Sequence, residues 1–155
     1  FLTVHGHRSV MEAAASEKGS MKILAVTVLT SFDQSDLDEM GATKTVEQLV
    51  LARAQGAVEA GCDGVIASGH EAARLKAEFG KRLLVVTPGI RPLGNEPHGK
   101  IQDDQKRTVD VAQAFAAGAD YIVVGRPIRA AADPRAAAQA IQDTIARIFS
   151  AVAGP

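Results

Sequence analysis

The stretch EAGCDGVIAS, residues 59–68, recurs in outline as AAGADYIVVG, residues 116–125. Each copy ends a helix-patterned segment on a glycine, passes through a small residue and an aspartate, and enters an apolar run rich in β-branched residues. Glycine is common just beyond the last residue of a helix. The two copies lie about two βα units apart, at roughly 30 residues a unit. The repeat therefore predicts βα units in series.

Five apolar runs predict strands, and they are continuous rather than alternating, which is typical of a parallel sheet buried on both faces. They lie at 1–5, 22–29, 64–68, 82–87 and 121–125. Amphipathic segments between and after them predict helices at 9–19, 43–61, 71–80, 108–118 and 133–154. The second helix is expected to bury a stripe of Val46, Leu49, Ala52 and Val58.

A series of βα units predicts either an open doubly wound sheet or a (β/α)8 barrel. No G-x-G-x-x-G motif follows the first strand, which disfavours a dinucleotide-binding fold. Five units are a little over half of a barrel of about 250 residues. We therefore expect an α/β chain that forms a single domain over residues 1–155, built either as an open sheet or, as these observations favour, as about five βα units of a (β/α)8 barrel.

Composition restricts the functional classes. The chain has 155 residues, a net charge of −1 and 46% hydrophobic residues, so neither nucleic acid nor a membrane is expected as a partner. Cys62 is the sole cysteine, which rules out an intrachain disulfide and favours a reducing cytoplasm. Its position just after Gly61 predicts a small buried residue.

Polar residues follow all five predicted strands, and in parallel α/β folds ligands bind beyond these carboxyl ends. They form one polar rim made of His5, Thr30–Ser31, Ser68–His70, Pro88–Arg91 and Gly125–Pro127.

The last two strand ends predict a phosphate site. Gly89 and Gly125 lack Cβ, so an anion can come close to the backbone N–H groups. Arg91 and Arg126 add planar guanidinium groups that bind phosphate with two hydrogen bonds. The alternative is a pair of surface arginines in ordinary turns.

Four motifs, in order and spacing, resemble the second half of orotidine 5′-monophosphate decarboxylases: LAVTVLTS (24–31), TPGIRP (87–92), DDQKR (103–107) and GADYIVVGRPI (118–128). FLTVH (1–5) is similar to that family's fourth strand, and SGHEA (68–72) to its sixth-strand signature, which usually has Pro where Gly69 stands. The resemblance covers residues 1 to about 132. HGHRSV (5–10) departs from it, because the usual paired glycines are absent.

The resemblance implies roles for residues on the rim. Arg91, Gln105 and Arg126, with the Gly125 backbone, would hold a substrate phosphate, and Thr30 and Ser31 would contact the base side of a nucleotide. The long loop at 87–108 would close over the phosphate and exclude water. Outside this family, Gln105 would be read as a solvated loop residue and Thr30 as a strand-end hydroxyl.

His5 and His70 are expected to be structural, bonding to neighbouring backbone.

The family's catalytic groups are not found in this chain. The resemblance implies chemistry without metal or organic cofactor, in which a Lys ammonium within a Lys/Asp array stabilises a carbanion and supplies the proton. That array includes a D-x-K-x-x-D motif on the third strand, whereas this chain begins at the fourth. Asp104-Gln105-Lys106 is the nearest imitation, but Val109 stands in the place of the second aspartate, so we reject it. We expect an incomplete sequence, a fragment or a true half-barrel.

The expected function is decarboxylation of orotidine 5′-monophosphate to uridine 5′-monophosphate in pyrimidine biosynthesis. The complete protein is expected to be a cytoplasmic homodimer, and this chain alone to be inactive. Two alternatives remain open: a non-catalytic phosphate-binding half-barrel, and a related sugar-phosphate decarboxylase or aldolase, against which the LTS and DDQ signatures argue.

Overall fold

The computed structural model describes residues 1–92 and 104–152. They form one parallel five-stranded sheet in the order β1-β2-β3-β4-β5, so each strand pairs with the next one along the chain. A doubly wound sheet reverses its strand order at a switch point, whereas a barrel is wound in one direction. The order therefore agrees with barrel winding. The strands are Leu2–Val4, Ile23–Val26, Gly64–Ile66, Leu84–Thr87 and Tyr121–Ile122.

Seven α-helices are found in the described part of the chain, two more than predicted. They are α1 Arg8–Ser16, α2 Gln34–Glu39, α3 Val46–Glu59, α4 Gly69–Phe79, α5 Val111–Ala116, α6 Arg126–Arg129 and α7 Pro134–Val152; a 3₁₀ turn, Gly80–Arg82, precedes β4. The unpredicted α2 and α6 are short helices in loops that follow strands. No helix within residues 1–92 and 104–152 is long and apolar enough to cross a membrane.

The main core lies between the helices and one face of the sheet, and it corrects the predicted stripe of α3. The helix buries Val50, Ala54 and Ala57, while Ala52 is exposed. Val46, Leu49 and Val58 are partly buried at the margin of this core. The prediction was wrong for Ala52, because the three-residue spacing of Val46, Leu49 and Ala52 drifts away from the buried face of a helix with 3.6 residues per turn.

The opposite face of the sheet carries apolar side chains from its edge strands. Phe1 and Tyr121 are 65% and 47% exposed, and Val123 is 50% exposed. The rings of Phe1 and Tyr121 nevertheless meet edge to face, with centroids 5.0 Å apart. Because β1 and β5 are the outer strands, this contact means that the sheet curls into a trough.

The aspartates of the sequence repeat perform the same task in both copies. The Asp63 carboxylate accepts the N–H of Ile23 at 2.9 Å, and the Asp120 carboxylate accepts the N–H of Val85 at 2.7 Å. Each aspartate also pairs with a lysine, at 2.9 Å for Lys18–Asp63 and 2.5 Å for Lys76–Asp120. The two aspartates therefore connect β3 to β2 and β5 to β4 at the amino-terminal edge of the sheet.

Candidate functional site

Thr30 and Gln105 meet at the carboxyl edge of the sheet, although they are far apart in the sequence. The Thr30 hydroxyl donates to Gln105 Oε1. The N–H groups of Lys106 and Arg107 both donate to the Thr30 carbonyl, at 3.1 Å each. An amide whose oxygen accepts from Thr30 carries its two donor hydrogens on the other side, where they suit an anion.

Gly89 allows the loop after β4 to approach this pair. Its φ is +76°, and a Cβ placed on it would lie 3.1 Å from the Arg107 carbonyl oxygen, 3.6 Å from Gln105 Oε1 and 3.7 Å from Thr30 Cβ. The glycine is therefore required both by its left-handed backbone and by the close approach.

Arg91 lies on the same loop, whose first residues run beside Val109 near its end. The Arg91 N–H donates to the Val109 carbonyl at 2.9 Å, and Ile90 and Val109 form a parallel bridge. The Arg91 guanidinium donates to the Ile90 carbonyl at 2.8 Å. The loop predicted to close over a phosphate, at 87–108, lies partly outside the described residues, at 93–103, so its closure stays a prediction.

Arg126 begins α6, immediately after Gly125, which lies three residues beyond the last strand. Its guanidinium Nη2 lies 2.5 Å from Asp104 Oδ1, and this bond from Arg126 lowers the pKa of the Asp104 carboxyl below its usual range. Asp104 directly precedes Gln105, so the ion pair connects the last strand end to the Thr30–Gln105 pair. A Cβ on Gly125 would meet nothing within 4 Å, which leaves its backbone approachable.

Lys106 pairs with α2. Its ammonium lies 2.7 Å from Asp36 and 3.1 Å from Asp33. Hydrogen bonding to Asp36, then to Asp33, raises the pKa of Lys106. The pKa of Asp33 is lowered, first by the Ser35 hydroxyl and then by Lys106. Lys106 therefore holds the loop after β2 against the segment that carries Gln105.

Ser31, predicted on the base side, is half-buried beside Thr30. His70 has its Nε2 3.1 Å from the Thr108 carbonyl oxygen, which is the kind of backbone contact predicted for it. His5 is exposed at the end of β1. Cys62 is buried, as predicted, and burial raises the pKa of its thiol. Within residues 1–92 and 104–152, no group of three His, Cys, Asp or Glu is arranged to hold a metal ion.

Sequence reasoning missed Arg107, the most deeply buried arginine near the rim. It forms a 2.5 Å ion pair with Glu71, and each side chain is 8% exposed. A charged residue inside the polar segment DDQKR gives no signal of burial, because composition there predicts a solvated loop.

The comparison with known families decides the assignment. The model of the orotidine 5'-phosphate decarboxylase / HUMPS family matches residues 1–141. The chain belongs to this family. The resemblance stated from the four motifs is thereby confirmed.

Similar decarboxylases cover nearly all of this chain. The orotidine 5'-phosphate decarboxylase of Methylococcus capsulatus is 58% identical over 151 residues, which are 97% of this chain and 61% of that protein. The decarboxylase of Nitrobacter winogradskyi is 54% identical over 143 residues, 91% of this chain and 58% of its own length. The chain thus spans about three fifths of the length of these curated relatives.

Solved structures support the family's fold. An orotidine 5'-phosphate decarboxylase from Lactobacillus acidophilus superposes with a TM-score of 0.71 at 34% identity, over 91% of this chain and 61% of that chain. An uncharacterized conserved protein from Geobacillus kaustophilus gives a TM-score of 0.67 at 33% identity, with the same coverage. The predicted α/β class with a parallel sheet is confirmed.

Proposed function

We propose that this chain is the carboxyl-terminal part, barrel strands four to eight, of an orotidine 5'-phosphate decarboxylase. It supplies the surface that holds the phosphate and base of orotidine 5'-monophosphate, which the whole enzyme converts to uridine 5'-monophosphate. The observation that carries the proposal is the contact of Thr30 with Gln105 beside Gly89. A residue assigned to the base and one assigned to the phosphate meet there.

The phosphate end is assigned to Arg91, Gln105 and Arg126 with the Gly125 backbone. Arg126 already binds a carboxylate, Asp104, and an oxyanion of the substrate would exchange with that carboxylate. Guanidinium and amide donors together match the several oxygens of a phosphate. The chemistry of these donors fits the family's nucleotide substrate, and it requires neither metal nor organic cofactor.

The base end is assigned to Thr30 and Ser31. Because Thr30 bonds to Gln105, phosphate binding at Gln105 fixes the position of the base side as well. Binding energy from the unreactive phosphate then contributes to organising the reacting end. The loop at 87–108 would complete this closure and exclude water.

The reaction itself needs groups that lie outside this chain. Loss of CO2 leaves a carbanion on the pyrimidine ring, and we assign its stabilisation and protonation to a Lys within a Lys/Asp array on the first three barrel strands. The family resemblance is the basis for this assignment, and also for a cytoplasmic homodimer as the complete protein.

The uncovered trough favours a chain that is completed by further βα units. The trough is apolar along its edge strands, where Phe1, Tyr121 and Val123 are exposed. Both edge strands would find partners in a closed barrel, which has no free edges. A free-standing half-barrel that binds phosphate without catalysis is the alternative, and it would have to cover the same trough in another way.

The experiment compares a nucleotide with its nucleoside. Joining this chain to the part of the Methylococcus capsulatus relative outside the match gives a protein that we call the joined enzyme. In it, Arg126→Ala should weaken binding of uridine 5'-monophosphate by roughly 30-fold or more, because it removes a charge-assisted contact. Arg129→Ala removes an exposed arginine from the same short helix and should change nothing.

Uridine, which lacks the phosphate, should bind the joined enzyme and its Arg126→Ala variant equally well. Isothermal titration calorimetry measures all four affinities. If Arg126→Ala weakened the binding of uridine as much as that of uridine 5'-monophosphate, Arg126 would not be a phosphate ligand. The proposed position of the phosphate would then be wrong.

A further inference from the structure

Arg107 brings a buried positive charge between the loops at the carboxyl edge of the sheet. Its guanidinium uses Nε for the Phe32 carbonyl at 2.9 Å and Nη1 for the Glu71 carboxylate at 2.5 Å. Nη2 donates to the carbonyls of Val28 and Leu29, at 3.1 Å each. All three guanidinium nitrogens are therefore engaged.

These acceptors bracket the residues proposed to bind the base. Val28 and Leu29 directly precede Thr30 and Ser31, and Phe32 follows them, so one guanidinium holds both sides of the turn. The Arg107 N–H also donates to the carbonyl of Thr30 itself, at 3.1 Å.

The main chain of Arg107 joins two further strand ends. Its carbonyl accepts from the Ser68 hydroxyl at 3.3 Å. The same carbonyl oxygen is the atom nearest to the missing Cβ of Gly89, at 3.1 Å. Gln105 is only two residues away along the chain. Arg107 thus contacts the loops after β2, β3 and β4 and fixes the position of the segment that carries Gln105.

The ion pair with Glu71 is poorly suited to a purely stabilising role. Glu71 Oε2 is buried and has no hydrogen-bond partner among the described residues. A buried pair contributes to stability only when its remaining lone pairs are satisfied, and apolar replacements are often as stable. The contacts are better explained by the fixed geometry that they impose on the backbone around Thr30.

We propose that Arg107 is a positioning residue of the nucleotide site, which holds Thr30 and Gln105 at the spacing that the substrate requires. The inference rests on the proposed function and adds a residue to it. A lysine could not replace Arg107, because its single ammonium lacks the planar fork that reaches several acceptors in different directions.

The test is a double-mutant cycle in the joined enzyme, with uridine 5'-monophosphate as the ligand. Arg107→Lys keeps the charge and should weaken binding about tenfold or more. Gln105→Ala removes the proposed ligand through which Arg107 acts. In that background Arg107→Lys should weaken binding by about twofold or less, because interacting positions are not additive. The side-chain amide signals of Gln105 in the NMR spectrum should also shift in Arg107→Lys.

Two controls separate positioning from general loss of stability. Leu75→Ala removes a fully buried side chain of the main core and lowers the melting temperature without touching the rim. Arg53→Met removes another arginine that donates to a carbonyl near the end of β2, that of Thr27. Both should bind uridine 5'-monophosphate as the parent does.

Equal penalties for Arg107→Lys in the parent and Gln105→Ala backgrounds would overturn the inference. Unchanged nucleotide binding in Arg107→Lys would overturn the inference too. In both cases the proposed function would stand, provided that the parent binds the nucleotide and Gln105→Ala weakens that binding. A joined enzyme that does not bind uridine 5'-monophosphate at all would remove both proposals together.

Discussion

Single residues determine how closely the loops meet at the carboxyl edge of the sheet. Gly89 was predicted to be near an anion because it lacks Cβ, and the structure adds a second reason, its φ of +76°. The family motifs suggested separate roles for Thr30 and Gln105, but the hydrogen bond between the two residues was not predicted and comes from the structure. Arg107 could not be predicted, because nothing in a polar segment shows that a charge will be buried.

Gly89→Ala should impair both stability and nucleotide binding. A left-handed residue with a Cβ costs about 1–2 kcal/mol, and this Cβ would press on the Arg107 carbonyl. Gly41→Ala is a matched control, because its φ is +74° and nothing lies within 4 Å of the added Cβ. Urea unfolding should show a loss of stability for both variants in the joined enzyme, and a larger one for Gly89→Ala because of this contact. Only Gly89→Ala should weaken binding of uridine 5'-monophosphate. Equal affinities of the Gly89→Ala and Gly41→Ala variants for this nucleotide would count against Gly89 as part of the site.

Asp104→Asn should strengthen nucleotide binding. The Asp104 carboxylate and the substrate phosphate compete for the Arg126 guanidinium, so removing the negative charge favours the phosphate. The pair is solvent-exposed and the gain is therefore small, about threefold. Titration of uridine 5'-monophosphate into the joined enzyme measures it, with uridine as the control ligand. A weaker affinity would instead assign Asp104 the role of orienting Arg126.

At the level of elements, the sequence predicted the number and order of the strands but not all of the helices. Continuous apolar runs located all five strands within a few residues. The short helix α2 was missed because Asp33 and Asp36 form a capping box in a polar loop with no apolar stripe. The helix α6 was missed because its four residues lie within a predicted phosphate loop.

The internal repeat predicted βα units in series. In the structure, its two aspartates accept hydrogen bonds from the backbone of the preceding strand. Asp63→Asn should lower the free energy of unfolding by about 1–2 kcal/mol at pH 7, because it weakens bonds from Ile23 N–H and Lys18. Asp143→Asn, on the exposed side of α7, is the control and should have no effect.

The contribution of Asp63 to the free energy of unfolding also depends on pH. Burial opposes the charged form, but hydrogen bonds from the Ile23 N–H, Lys18 and Lys22 outweigh it and lower the pKa of the Asp63 carboxyl. Its contribution is therefore complete above the ordinary aspartate pKa of about 3.9 and is lost as the pH falls through the lower folded pKa. The difference between the parent and Asp63→Asn should shrink between pH 5 and about pH 2. A difference that is constant with pH would contradict this.

For the whole molecule, the exposed apolar side chains along the edges of the curled sheet are the feature on which the proposal of further βα units rests. Tyr121 is half-exposed in this chain and contacts Phe1. If further βα units cover the trough, Tyr121→Ala should lower the free energy of unfolding of the joined enzyme by about 3–5 kcal/mol, as for a buried aromatic residue. The loss should be clearly smaller in the chain alone.

Phe149→Ala provides the comparison for Tyr121→Ala. Phe149 of α7 is also half-exposed and packs edge to face on Phe115 of α5, away from the trough. Its truncation should have the same small cost in the chain alone and in the joined enzyme. Equal costs for Tyr121→Ala in both proteins would mean that the trough is not the interior of a completed barrel.

The most direct test of the central claim is decarboxylation itself. The 155-residue chain and the joined enzyme are each given orotidine 5'-monophosphate, and loss of the substrate's ultraviolet absorbance is followed. We predict turnover by the joined enzyme and none by the chain alone, because a phosphate site contributes to rate only when catalytic groups are present. Robust turnover by the chain alone, or none by a joined enzyme that binds uridine 5'-monophosphate, would contradict the account.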